Sequence, residues 1–334
     1  MEKKPIIRIR GLNKIYNQGK ANEVRAVDNV SFDIFEGETF GLVGESGSGK
    51  STTGKLLMKL EAISNGQVEF LGTSIQEKQS RKDLLEFRKN IQMIFQDPYA
   101  SLNPRQTVKE IIGGPLEVHK LVASKKERDE VVYQLLEQVG LDRSFANRYP
   151  KEFSGGQCQR IGIARAIALK PKFIIADEAI SALDVSIQAQ IVNLLRQLKR
   201  EENLTYLFIA HDLSMVKFIS DRIGVMNRGK LLELATSEEI YKYPLHPYTE
   251  SLLSAIPEPN PETERTRKRI AYDETQFSYA IGDPDVRLYE INPEHFIYCR
   301  KDELASYLEK YERLKKNNPT GEWSEDKAEN GVGK

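Results

Sequence analysis

Thr39-Phe40-Gly41-Leu42-Val43-Gly44-Glu45-Ser46-Gly47-Ser48-Gly49-Lys50-Ser51-Thr52 decides the reading of the fold. Its first five residues form a short apolar run of strand length. Gly44 to Ser51 fit G-x-x-x-x-G-K-[ST], and Leu56, Leu57 and Leu60 then recur at helical spacing. In a strand–glycine turn–helix order, consecutive backbone N–H groups can turn toward one anion, and the helix N-terminus adds partial positive charge. Lys50 would bridge the β- and γ-phosphates of a nucleotide, and the Ser51 hydroxyl would ligand Mg²⁺. The alternative, a glycine-rich turn without a ligand, is the weaker reading in this context.

Further along, Phe173-Ile174-Ile175-Ala176 is an apolar strand that ends in Asp177 and Glu178. Carboxylates at the carboxyl end of a buried strand stand where open α/β sheets bind ligands. Asp177 would support Mg²⁺ and Glu178 would polarise an attacking water. Alone, the pair reads equally well as a solvated acidic turn. Phe153-Ser154-Gly155-Gly156-Gln157 precedes an apolar-periodic helix (Ile161, Ala164, Ile167, Ala168), with Ser154 as its expected N-cap. This is a second phosphate-binding helix end. One γ-phosphate does not need two in one chain, whereas a head-to-tail dimer would use both.

Strands are expected at 6–10, 30–34, 39–43, 173–176 and 205–210, with a hairpin at 223–234 turning at Asn227-Arg228-Gly229. Ile187, Ile191, Leu194, Leu195 and Leu198 outline an amphipathic helix. The stretch from about 83 to 169 reads mostly helical, interrupted at Pro98, Pro104, Pro115 and Pro150. Strands alternating with helices imply an α/β fold with a parallel sheet and a helical insert. Past Pro244, Pro257, Pro259 and Pro261 break the chain, a charged stretch follows, and the segment from about Asn317 is expected to be disordered.

The chain has 334 residues, 49 basic and 49 acidic, and is 40% hydrophobic, enough for a sizeable core. Mean hydropathy is −0.50, and no apolar run approaches the roughly 18–20 residues of a membrane span. Zero net charge argues, weakly, against bulk attraction to nucleic acid. Two cysteines, Cys158 and Cys299, cannot build a disulfide framework or a four-thiolate metal site. The first residues lack the apolar core of a secretory signal, so an intracellular, reducing setting is expected.

Taken in order, the Gly44–Ser51 loop (Walker A), Ser154-Gly155-Gly156-Gln157, the Asp177-Glu178 strand (Walker B), Ser181-Ala182-Leu183-Asp184 and His211 resemble an ATP-binding-cassette (ABC) ATPase over roughly residues 6–260. The resemblance implies a P-loop cassette: a RecA-like core with an antiparallel β subdomain and a helical signature subdomain, plus a C-terminal extension. Residues 1–256 would be the nucleotide-binding domain (helical insert about 97–168), 257–316 the extension and 317–334 the tail.

By the same resemblance, Tyr16 stacks on adenine, and Gly44, Glu45, Ser46, Gly47, Ser48, Gly49, Lys50, Ser51 and Thr52 hold ATP. Ser154, Gly155, Gly156, Gln157 and Asp184 face a partner's nucleotide. Ser51, Gln96 and Asp177 meet Mg²⁺, and Glu178, His211 and Gln96 serve the chemistry. Phe95-Gln96-Asp97-Pro98-Tyr99-Ala100-Ser101-Leu102-Asn103-Pro104 and Tyr243-Pro244-Leu245-His246-Pro247-Tyr248-Thr249 look like the oligopeptide/dipeptide importer branch, most like its F-type ATPase subunit. Ile291-Asn292-Pro293-Glu294-His295-Phe296-Ile297-Tyr298-Cys299 is also similar to tails in that branch.

This implies an ATP hydrolase that powers import of oligopeptides, with dipeptide, nickel, glutathione or oligosaccharide as alternative cargo and a soluble mechanical ABC ATPase as the weaker rival. The sandwich partner would be a second, D-type ATPase, giving a heterodimer, in preference to a copy of this chain. Two transmembrane permease subunits and an external substrate-binding protein acting indirectly are also implied, and no nucleic acid. The chain would sit peripherally on the cytoplasmic face of a bacterial membrane. Ala179 replaces the family's usual proline and Cys158 its usual polar residue; neither removes a chemical group the mechanism needs. With Cys299 alone in the tail, the iron–sulfur cluster of some relatives is not expected.

Overall fold

The computed structural model describes residues 4–211, 213–256, 269–273, 275, 279–280 and 282–317. The expected disordered tail, beyond Asn317, lies outside the described residues, as does nearly all of the charged stretch after Pro261. The chain divides into two compact units: one holds residues 1–12, 32–39 and 51–209, the other 13–31, 40–50 and 210–334.

Strands β1 (Pro5–Tyr16) and β2 (Val24–Phe35) run from one unit into the other. Their buried and exposed residues alternate, as expected where one face meets a core. With β4 (Asn65–Phe70) and β5 (Thr73–Ser74), which pair antiparallel, they form a four-stranded sheet in the order β2-β1-β4-β5.

The first unit also carries three parallel strands, β6 (Ile91–Ile94), β7 (Phe173–Asp177) and β8 (Thr205–Ala210), paired in that order. Every residue of β7 and β8 is buried, which is why both read as unbroken apolar runs. Helix α1 (Lys50–Leu57) follows the glycine turn. Helix α2 (Arg81–Asn90) starts on a Ser80–Asp83 capping box. The insert comprises α3 (Val108–Val118), α4 (Lys125–Gln138) and α5 (Gly155–Ile167). Helix α6 (Val185–Glu202) buries Ile191, Val192, Leu194, Leu195 and Leu198 and ends on Asn203 in the left-handed region.

The helical expectation for residues 83–169 needs two corrections. Ile91–Ile94 is a strand, because it pairs with β7 from Ile91↔Phe173 to Ile94↔Ala176. Four residues directly after a helix carry no periodicity of their own. Pro115 does not interrupt its helix: α3 runs through it, held by buried Ile111, Ile112 and Leu116. Burial there offsets the lost backbone hydrogen bond, about 3 kcal/mol in an exposed helix.

In the second unit, β3 (Thr39–Val43) pairs parallel with β9 (Arg222–Asn227), and β9 pairs antiparallel with β10 (Lys230–Thr236). The hairpin turns on Arg228 and Gly229, φ 44° and 81°, a two-residue turn of the handedness such hairpins favour. Short helices α7 (Val216–Ile219) and α8 (Ser237–Lys242) precede α9 (Pro247–Ser254). Beyond them, β11 (Val286–Asn292) and β12 (His295–Arg300) form a hairpin, and β12 pairs with β10 (Glu233↔Ile297, Leu234↔Phe296). The extension thus continues the sheet order β11-β12-β10-β9-β3. Helix α10 (Leu304–Asn317) buries Tyr307 and Tyr311 against Leu245, Ile297 and Cys299.

A buried charge network closes this unit. Glu233, wholly buried, accepts from the Leu245 and His246 amides (2.8 and 3.0 Å) and lies 2.8 Å from His295 Nε2. Glu239 lies 3.1 Å from His295 Nδ1. Burial opposes a charge on His295, but the two carboxylates outweigh it and push its pKa from 6.5 up to about 9. A histidine whose pKa rises on folding stabilises fully below its unfolded pKa and loses that contribution as pH climbs through the folded one. The stabilisation is therefore whole below about pH 6.5 and fades toward pH 9. His295→Ala leaves Glu233 without its cation and is expected to cost about 3–5 kcal/mol in denaturant unfolding near pH 6. The gap between His295→Ala and wild type should shrink as pH rises to 9; a gap that widens would refute the sign.

Candidate nucleotide site

The glycine turn belongs to the second unit up to Lys50. Gly44 and Glu45 offer their carbonyls to Lys50 Nζ at 2.7 and 2.8 Å, and Ser48 Oγ accepts at 3.2 Å. Lys50 is only 3% exposed, so its own loop replaces the water its ammonium lost. Two glycines are required by space. A Cβ on Gly44 (φ +150°) would stand 2.0 Å from Met226 O, and one on Gly49 (φ +105°) 2.2 Å from Ala26 O. The Gly229 N–H donates to Ser48 O (2.9 Å), and the Glu45 N–H donates to the Tyr248 hydroxyl (2.9 Å). Glu45, Ser46 and Gly47 remain exposed. Tyr16 ends β1 half-buried, with Lys14 Nζ 4.6 Å above its ring, and His211 is exposed just after β8.

In the first unit, Ser51 Oγ donates to Asp177 Oδ1 at 2.7 Å, on helix α1 and at the end of β7 respectively. Asp177 is 8% exposed. Thr52, next on α1, is half-buried. Glu178 has φ 46°, a left-handed backbone uncommon for a glutamate, and its N–H donates to Ile209 O at 3.0 Å. Gln96 Nε2 donates to Glu178 Oε2 at 2.7 Å. The sequence-predicted Ser51/Asp177 and Gln96/Glu178 are thereby brought together as two polar pairs.

Among the described residues, no cluster of three or more His, Cys, Asp or Glu side chains is arranged for a metal. A serine hydroxyl beside one carboxylate is nonetheless the hard-oxygen donor set that suits Mg²⁺, which is usually held by one or two protein ligands with phosphates and waters.

Ser154 caps α5 through a capping box: its Oγ accepts from the Gln157 N–H (3.4 Å), and Gln157 Oε1 accepts from the Ser154 N–H (3.0 Å). Gln157 thus spends its side chain on the helix start, which the S-x-x-Q spacing already signals. The glycines between leave room for neighbours: a Cβ on Gly156 would meet Ile187 at 2.7 Å, and one on Gly155 would meet Leu183 at 3.5 Å. Asp184 is exposed at the N-cap of α6 and makes no side-chain capping bond. Cys158 is buried, its thiol pushed up to about 11 by burial, so it is inert at neutral pH.

Two residues lie in stretches quoted from the sequence, but their contacts were not legible there. Tyr99 donates its hydroxyl to Phe153 O (3.0 Å), tying the Gln96 loop to the residue before Ser154, and Tyr248 touches the glycine turn. Neither contact has a local sequence signal, since each joins distant segments.

Residues 27–181 match the family model described as ABC transporter, and residues 232–279 the one described as oligopeptide/dipeptide transporter, C-terminal region. The oligopeptide transport ATP-binding protein OppF of Streptococcus mutans is 56% identical over 92% of this chain and 99% of its own length. OppF of Bacillus subtilis is 60% identical over 85% of this chain and 93% of its own length. The dipeptide transport ATP-binding protein DppF of Lactococcus lactis is 54% identical over 92% and 97%. A solved dimeric ATP-binding cassette, in a post-hydrolysis state with ADP and Pi, superposes with TM-score 0.63 at 31% identity, covering 69% of this chain and 98% of that one. With its glycine turn, its paired Ser51 and Asp177 and a match along nearly the whole length of these relatives, the chain belongs to the ABC transporter ATP-binding subunits, in their oligopeptide/dipeptide branch.

Proposed function

We propose that this ABC ATPase hydrolyses ATP in a nucleotide sandwich formed with a second, D-type ATPase, and so powers uptake of oligopeptides through two membrane permease subunits. The observation that carries the hydrolytic reading is the 2.7 Å bond from Gln96 to Glu178. It sets a carboxylate and an amide side by side, one to accept a proton from water and one to orient that water. The glycine turn from Gly44 to Thr52, through those of its backbone amides not already spent inside the protein, and the Lys50 ammonium hold the phosphates. Tyr16 stacks on the base, and Ser51, Asp177 and Gln96 would hold Mg²⁺. Bound there, Mg²⁺ would offset the charge of the β- and γ-phosphates.

His211 meets the γ-phosphate. Ser154 to Gln157 and Asp184 serve the nucleotide of the partner subunit, which accounts for a second helix N-terminus with glycines and for an N-cap aspartate that makes no cap bond. Residues 257–316 form the extension typical of the branch; the peptide cargo and the D-type partner rest on the relatives' names and the F-type resemblance. An external substrate-binding protein would deliver cargo to the permeases, and nucleic acid has no part.

Among the described residues no helix is long and apolar enough to cross a membrane. A groove of about 730 Å³ in the first unit supports the docking reading. Leu60 (59% exposed) and Val118 (65% exposed) line it together with Met58, Pro115 and His119. Exposed apolar side chains around a groove that the end of α1, helix α2, strand β6 and the end of α3 line together suit a permease segment on the cytoplasmic face of the membrane.

Glu178→Gln is expected to retain ATP binding while turnover falls at least about 100-fold. In cells carrying Glu178→Gln, uptake of a labelled short peptide should be lost while labelled nickel and oligosaccharide uptake persist. Loss of nickel or sugar uptake instead would keep the transport class and overturn the cargo. Val118→Glu should abolish co-purification with membranes and peptide uptake, yet leave the purified chain's affinity for ATP within about two-fold of wild type, as for most surface substitutions.

A further inference from the structure

Tyr248 stands 203 residues from Glu45 in sequence, yet its hydroxyl accepts the Glu45 N–H at 2.9 Å. That N–H and the Gly44 C=O belong to the same peptide group, and the carbonyl end accepts from Lys50 Nζ at 2.7 Å. One peptide plane at the start of the glycine turn is therefore gripped at both ends, by a lysine of the turn itself and by a tyrosine of the C-terminal region.

The tyrosine is well anchored. It is 2% exposed, on the first turn of α9, where Pro247 fixes the backbone and His246 Nδ1 accepts the Tyr248 N–H at 3.1 Å. The two residues before Pro247 are tied by their amides to the buried Glu233 carboxylate, and Lys310 of α10 donates to Leu245 O at 2.7 Å. The Tyr248 ring packs on Tyr272 at 5.1 Å. At the far end of α9, Ser254 Oγ accepts from the Ile270 N–H at 3.0 Å. A rigid ring with such a base can hold its hydroxyl in place.

We propose that Tyr248 is a positioning residue for nucleotide binding: it keeps the Gly44–Glu45 peptide oriented when Lys50 leaves that peptide for the phosphates. This rests on the reading of Lys50 as a phosphate ligand. In the free chain the plane has two restraints, and in the loaded chain Tyr248 is the one that stays. Deleting the hydroxyl therefore costs the loaded state more than the free state and lowers affinity for ATP. Residues 232–279, the stretch matched as the transporters' C-terminal region, thereby act on the glycine turn through this strut.

Tyr248→Phe keeps the ring and removes only the oxygen. With purified full-length chain and Mg-ATP, Tyr248→Phe should raise the Kd for ATP by about two- to ten-fold, the worth of one neutral hydrogen bond. Ser254→Ala, on the same helix and away from the turn, should lower the melting temperature without changing that Kd. An unchanged Kd in Tyr248→Phe, or an equal rise in Ser254→Ala, would overturn the assignment.

Lys50→Ala separates the two readings. If Lys50→Ala binds ATP as wild type does, the phosphate-site reading itself fails. If Lys50→Ala loses affinity while Tyr248→Phe does not, only the positioning role falls. Hydrogen exchange at the Glu45 amide of the wild-type chain needs no variant: protection with and without ATP is expected, and exchange at the solvent rate in the loaded state would refute the strut.

Discussion

A buried ammonium must be solvated by something, and Lys50 is solvated by its own loop. Two carbonyls and one hydroxyl within 3.2 Å take the place of water, and they can do so because the backbone between Gly44 and Lys50 curls around the amine. That curl demands positive φ and bare Cα atoms where Met226 O and Ala26 O press in from β9 and β2. Those two strands, and the Gly229 turn whose N–H reaches Ser48 O, are thus placed by the needs of the loop as much as by their own apolar faces. A site that must later hand its lysine to a phosphate is stored in a closed, self-satisfied form.

The carboxylate half follows a different rule. Asp177 and Glu178 are adjacent, but the chain turns sharply between them: Asp177 finishes a fully buried strand, and Glu178 sits at φ 46°. The strained backbone sends neighbouring carboxylates to different partners, Ser51 for one and Gln96 for the other.

The C-terminal region is integrated by charge as well as by apolar packing. Glu233 lies mid-strand in β10, where an unpaired carboxylate would be prohibitively costly, and His295 and two backbone amides make it tolerable. The pair fixes β12 beside β10 and, through the same carboxylate, the chain entering α9. A hydrophobic residue at position 233 could pack as well but could not register the hairpin and the helix entry at once.

Local requirements were readable from the residues alone. The buried strands β3, β7 and β8, the glycine turn with Lys50 and Ser51, the hairpin at Asn227–Gly229 and the N-cap at Ser154 each depend on neighbours a few positions away, so composition and spacing encode them. The motif order carried the family resemblance in the same way. Strand β6, the passage of α3 through Pro115, the pairing of β12 with β10, and the bonds Gln96–Glu178 and Tyr248–Glu45 depended on the tertiary structure. They join segments from 62 to 203 residues apart or balance a local penalty against burial elsewhere. A linear pattern specifies what a segment can be; which distant group satisfies it is settled only when the chain closes and buried polar atoms must find partners.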